Sequence, residues 1–153
     1  MDTKKETMMF AGIEWRVLDK QENKILLIAK RIIGNRFYDM ASNDWKNCDL
    51  RRFLNEDLFP KLCVNDQNKI IEHYTGDKIF LLSQEEVNEY FVSDRDTRAF
   101  DSNGTATFWW LRSPGSASNR ASKVNEVGLF NLHGYDISNT GGVRPALWIK
   151  VNP

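Results

Sequence analysis

The residues whose types could bind or react gather in one window, 116 to 140. It holds Asn119, Arg120, Ser122, Asn125, Asn131, His133, Tyr135, Asp136 and Asn139. Tyr offers a large contact area at low entropic cost, and Asn and Ser supply adaptable hydrogen bonds, the combination found in antibody loops. These nine are the candidate ligand-binding residues, and a solvated loop with no ligand is the plainer alternative. Catalysis has weaker support. His133 is the one imidazole in the window, and no Ser or Cys stands beside it in a nucleophile motif. Cys48 and Cys63 are the two cysteines of the chain. With His73 and His133 they give no zinc spacing. They read as reduced, partly buried thiols, with a redox or copper pair as the sharper alternative. Asp94 and Asp96 begin no EF-hand loop, because Ala99 stands where that loop needs glycine. No glycine-rich phosphate loop of the nucleotide-binding kind is present. The expectation is a non-enzymatic chain with no cofactor and no metal.

Two arginines and a tryptophan pair flank the window. Arg112 and Arg144 have fork-shaped donors suited to loop carbonyls or a carboxylate. They read as residues that hold the long loop, with Asp101 or Glu126 as candidate partners. Trp109 and Trp110 are adjacent on a strand and so point to opposite faces. One is expected in the core and the other beneath a loop.

The elements that must position these residues follow from periodicity and composition. The chain has 153 residues, which is one domain on length. A chain of this size buries roughly 70% of its unfolded surface, so no staple is required. Its 21 Lys and Arg balance 21 Asp and Glu. That balance argues against a nucleic-acid partner held by a basic field. It also suggests that no fixed electrostatic partner exists. No apolar run approaches the length of a transmembrane helix, and the charged start Met1 to Glu6 lacks an apolar core, so neither membrane insertion nor a signal peptide is expected. A place inside the producing cell, or on a phage-like particle released from it, follows.

Ile13, Trp15 and Val17 alternate with polar residues as in a half-buried strand. Ile25 to Ala29 is a continuous apolar run, as in a strand covered on both faces. The two read as a hairpin. Leu50, Phe53, Leu54 and Leu58 share a helical face that Pro60 stops. A second helix is expected from about Asp66, with Ile70, Ile71 and Tyr74 on its buried face, ended by Gly76. Ile79 to Leu82 reads as a short strand. Ser83 and Glu86 form a capping box for a third helix. Phe108 to Leu111 is a strand, Lys123–Val127 and Gly128–Leu132 are strand-like islands, and Val143 to Val151 closes the chain with a bulge or edge at Pro145. Strands, then helices, then strands indicate an α+β fold with mostly antiparallel pairing.

Blocks in a fixed order carry a resemblance. They are Gly12 to Leu18 (GIEWRVL), Leu50 to Asn55 (LRRFLN), Phe80 to Ser83 (FLLS), Trp109 to Gly115 (WWLRSPG) and Gly142 to Trp148 (GVRPALW). Together they resemble a bacterial and phage domain-of-unknown-function family similar to the C-type lectin fold in its broad sense, which includes formylglycine-generating enzymes. The resemblance implies two or three helices packed on a twisted antiparallel sheet, with N- and C-terminal strands paired. It also implies a long loop-rich, ligand-facing segment before the last strand. Some members of the wider group are variable proteins of diversity-generating retroelements, in which Asn codons upstream of the last strand are rewritten at adenines. The residue types named in the window are reachable in this way, whereas Lys123 and Glu126 are not and would be template-fixed. The implied function is receptor recognition of a protein or glycan through 116–140. A formylglycine-generating type of enzyme using Cys48 and Cys63, and a fixed-specificity structural or adhesion subunit, are the alternatives. The oligomeric state is left open.

Overall fold

The computed structural model describes residues 6–151; the charged start Met1 to Lys5 and the last two residues lie outside the described residues. Two five-stranded sheets and several short helices make an α+β fold. The first sheet runs β1 (Thr7–Phe10), β2 (Ile13–Lys20), β3 (Lys24–Ala29), β10 (Ala146–Lys150) and β5 (Ile70–Ile71), antiparallel throughout. The expected hairpin is β2–β3, paired Val17 to Leu27, with a bulge at Leu18. Leu26 to Ala29 are exposed by 2% or less, as a continuous apolar run requires. Pairing of β3 with β10 joins the two halves of the chain.

The second sheet runs β4 (Gly34–Phe37), β9 (Thr140–Val143), β6 (Trp109–Pro114), β7 (Arg120–Val124) and β8 (Phe130–Asp136), with β8 at the edge. All its pairs are antiparallel except β6 with β9, which meet in parallel at Trp109 and Gly142. The closing segment is therefore two strands in two sheets. Pro145 has no N–H to give a ladder, and the chain leaves one sheet at Val143 and enters the other at Ala146.

Helical structure fills the space between the sheets' strands in sequence. The run predicted from Asp49 is α1 (Asp49–Arg52), a π turn over Phe53–Leu58, and α2 (Phe59–Lys61). Pro60 sits inside the last turn rather than ending the run before it. The wider i→i−5 bonds of the π turn, such as Phe59 N–H to the Leu54 carbonyl, carry the helix up to it. α3 is Val64–Lys69 only. Ile70 and Ile71, expected on its buried face, instead pair with Ile149 and Trp148 as β5. β-branched side chains next to an open sheet edge favour the strand. Residues Ile79 to Leu82 are fully buried, yet their ladder is one bridge from Phe80 to Ala146. α4 (Gln84–Tyr90) has the expected capping box, with the Ser83 hydroxyl accepting from Glu86 N–H and the Glu86 carboxylate accepting from Ser83 N–H. α5 is Asp94–Thr97. No helix among the described residues is long and apolar enough to cross a membrane.

Candidate functional site

Segment 116–140 is less loop-rich than the resemblance implies. Most of it is the β7–β8 hairpin and the start of β9, joined by tight turns. Beneath it lie the tryptophans. Trp109 and Trp110 are both 0% exposed. Trp109 packs near Phe91 and donates to the Thr97 carbonyl. Trp110 faces the other way, against Tyr38, Phe108 and Tyr135, and donates to the Arg36 carbonyl. Glycine lets β9 pass close to this cluster: a Cβ on Gly141 would stand 2.5 Å from the Phe108 ring and 2.7 Å from Trp110.

The nine candidate residues divide by what their side chains already do. Ser122 is 0% exposed and donates to the Ser113 carbonyl (2.9 Å), tying β7 to β6, so it presents nothing to a ligand. Arg120 donates to the Gly134 carbonyl. Asn125 accepts from the N–H groups of Val127 and Leu129 and so shapes the β7–β8 turn. Asn131 accepts from Gly134 N–H, where β8 bulges with Gly134 at φ +88°. Asp136 accepts from the backbone and hydroxyl of Ser138, which hold its carboxyl below the usual range. Tyr135 packs edge-on against Phe108, and Lys123 Nζ lies 4.1 and 4.2 Å from these two ring centres. Asn119, His133 and Asn139 are the exposed members. His133 Nδ1 lies 2.6 Å from Ser116 Oγ, while Ser116 N–H donates to the His133 carbonyl. The backbone bond fastens the β6–β7 loop to the edge strand, and among the described residues no carboxylate orients the imidazole as in a catalytic triad. Beside them stand Val127, Leu129 and Leu132, 57%, 45% and 58% exposed.

A cleft of about 590 Å³ lies elsewhere and is lined by none of residues 116–140. At its base Glu86 accepts from Arg112 Nη1 (2.5 Å) and contacts His73 Nε2 (3.3 Å). Arg112 also donates to the Leu81 carbonyl and to the Tyr74 hydroxyl. Burial raises the Glu86 pKa, but His73 and Arg112 outweigh it and pull the group down to about 2. The partner of Arg112 is thus Glu86, not Asp101 or Glu126. Asp101 is spent on its own turn, accepting from Asn103 and Thr105 N–H. Arg144 holds the Ala29 carbonyl (2.8 Å), fixing the corner between the sheets rather than the loop. Helical spacing alone would have aligned Glu86 with its own cap; its long-range partners had no local signal.

The remaining blocks interlock in the same way. Asn55 accepts from Lys78 and Ile79 N–H and donates to the Ile79 carbonyl, joining the LRRFLN helix to the segment that leads into FLLS. Asp77, 1% exposed, accepts from Trp45, Thr75 and Arg51. The chain belongs to the family described as a domain of unknown function (DUF6273), whose pattern spans residues 22–151. Four of the five sequence blocks lie within that span, and the tryptophan of the first, Trp15, precedes it while donating to the Phe10 carbonyl. No curated protein and no solved structure matches the chain.

Among the described residues no cluster of three or more His, Cys, Asp or Glu could hold an ion. Cys48 and Cys63 are both free. Cys48 is buried and caps α1 by accepting from Arg51 N–H. Burial pushes its thiol up to about 12, the wrong direction for a thiolate ligand. Cys63 is exposed at the start of α3.

Proposed function

We propose that this chain is a non-enzymatic binding module on a C-type lectin-like scaffold, recognising a partner through the face made by residues 116–140. The single supporting observation is the division of labour in that segment. Buried Ser122, Gly134 and the tryptophan pair, with half-buried Tyr135, maintain the hairpin, while Asn119, His133, Asn139 and the apolar side chains at 127, 129 and 132 stand outward. The face borders a small cleft of about 170 Å³, at Gly128 and Phe130. A broad surface with exposed apolar groups suits a protein partner better than a small ligand, which favours an enclosing pocket. A glycan remains the second class of partner. Diversification by a retroelement belongs to the same proposal, and so does carriage on a phage or cellular particle.

Deep sequencing of the coding region in related isolates tests it. Substitutions should concentrate at adenine-reachable codons of the exposed positions 118, 119, 132, 133, 138 and 139, beside a near-identical template copy ending near Val143-Arg144-Pro145. Ser122 should stay constant. Substitutions spread evenly along the chain, with no template copy, contradict the diversification.

A further inference from the structure

The zero net charge of the chain conceals a local excess. A second cleft, about 410 Å³, is lined by Arg16, Lys30, Arg95, Arg98 and Arg144, with Asp96 as the carboxylate among its lining residues. Arg16 engages Asp96 on both sides of the carboxyl (2.9 and 3.0 Å), and Lys30 reaches Glu14 at 3.5 Å. Among the described residues no carboxylate pairs with Arg95, Arg98 or Arg144.

Arg144 is only 3% exposed. Its Nε holds the Ala29 carbonyl, but its Nη1 is buried with no hydrogen-bond partner. Buried Nε atoms of Arg16 and Arg98 are in the same condition. A buried donor without a partner costs a folded protein its full desolvation, and more so when it is charged. Aromatic faces hold these groups in place: Arg144 lies 4.9 Å from the Trp109 ring centre, Arg16 4.6 Å from Phe91, and Arg98 5.4 Å from Phe100. Rings give a planar cation a rigid seat but take none of its N–H bonds. Burial and the neighbouring Arg16 pull Arg144 down to about 9, against the opposing effect of Asp96.

We propose that this cleft, built from β2, the β3 end, α5 and the Arg144 corner, binds a tetrahedral dianionic oxyanion, a phosphate or sulfate group free or carried on a larger ligand. Guanidinium forks match such oxygens in pairs. With Arg16 matched by Asp96 and Lys30 by Glu14, the three cations left in the lining, Arg95, Arg98 and Arg144, call for more than the single negative charge that an organic carboxylate supplies. The site is separate from the 116–140 face and does not depend on its function.

Calorimetric titration of the full chain with inorganic phosphate, sulfate and acetate, at constant ionic strength, decides it. Phosphate or sulfate should bind with a stoichiometry of about one and raise the melting temperature, and acetate should do neither. Arg98 is partly exposed and, among the described residues, its side chain makes no hydrogen bond to the frame, so Arg98→Gln tests the site in a folded chain. It should weaken binding about tenfold or more, the loss of one charge-assisted contact, with an unchanged circular dichroism spectrum. Arg144→Lys keeps the charge and should weaken binding through loss of the fork. Phosphate and sulfate effects no larger than that of chloride, acetate binding as tightly as phosphate, or Arg98→Gln binding like the parent would each overturn the proposal.

Discussion

Glu86 joins three parts of the molecule through one carboxylate. It caps α4, holds Arg112 of the tryptophan strand, and meets His73 of the turn after β5. Its pKa near 2 lies below the ordinary 4.5. A carboxyl lowered on folding stabilises the fold fully above about pH 4.5, and that contribution is lost as pH falls toward 2. Glu86→Gln should therefore destabilise the protein at pH 7 by about 3 kcal/mol, since it also strands a buried guanidinium. It should also flatten the loss of stability between pH 4.5 and 2, read from urea unfolding at each pH. An unchanged acid profile contradicts this role. The capping half of the role was legible from Ser83 and Glu86 three residues apart. The arginine half was not, because Glu86 and Arg112 meet only after the sheet has formed. Among the nine candidate residues, types were informative and burial was not: Ser122 looks like Asn119 in sequence and differs from it wholly in exposure.

Elements with a strong period were readable before folding, and short ones were not. The β2–β3 hairpin and α4 follow from alternation and capping. Ile70 and Ile71 fit a helical stripe equally well, and only the open edge of β10 makes them a strand. Pro145 announced a break, but that the chain changes sheets there depends on where β3 and β6 lie. The β7–β8 hairpin depends on Gly134. Its φ is +88°, and a Cβ there would stand 2.4 Å from the Ala121 carbonyl oxygen. Gly134→Ala should cost about 3 kcal/mol, from a left-handed backbone that L side chains resist together with a backbone clash. Denaturant midpoints of the two proteins check it, and equal midpoints contradict the bulge geometry.

Across the whole molecule, the aromatic surplus belongs to the frame. Trp15, Trp45, Trp109 and Trp110 are buried, and Trp148 is half-buried under Lys24. Their bonds and rings connect blocks that are far apart in sequence, so the fold does not lean on the outward side chains of the edge strand. Substitutions away from caps, glycines and buried polar groups usually change stability by no more than about 0.5 kcal/mol. That separation of frame from face is the central claim, and a displayed library randomised at Ser118, Asn119, Leu132, His133, Ser138 and Asn139 measures it directly. Most members should stay protease-resistant, and selection on a panel of folded protein targets should recover binders that keep the parent's melting temperature within a few degrees. Loss of folding in most members, or no binder to any target from a well-folded library, would contradict the account.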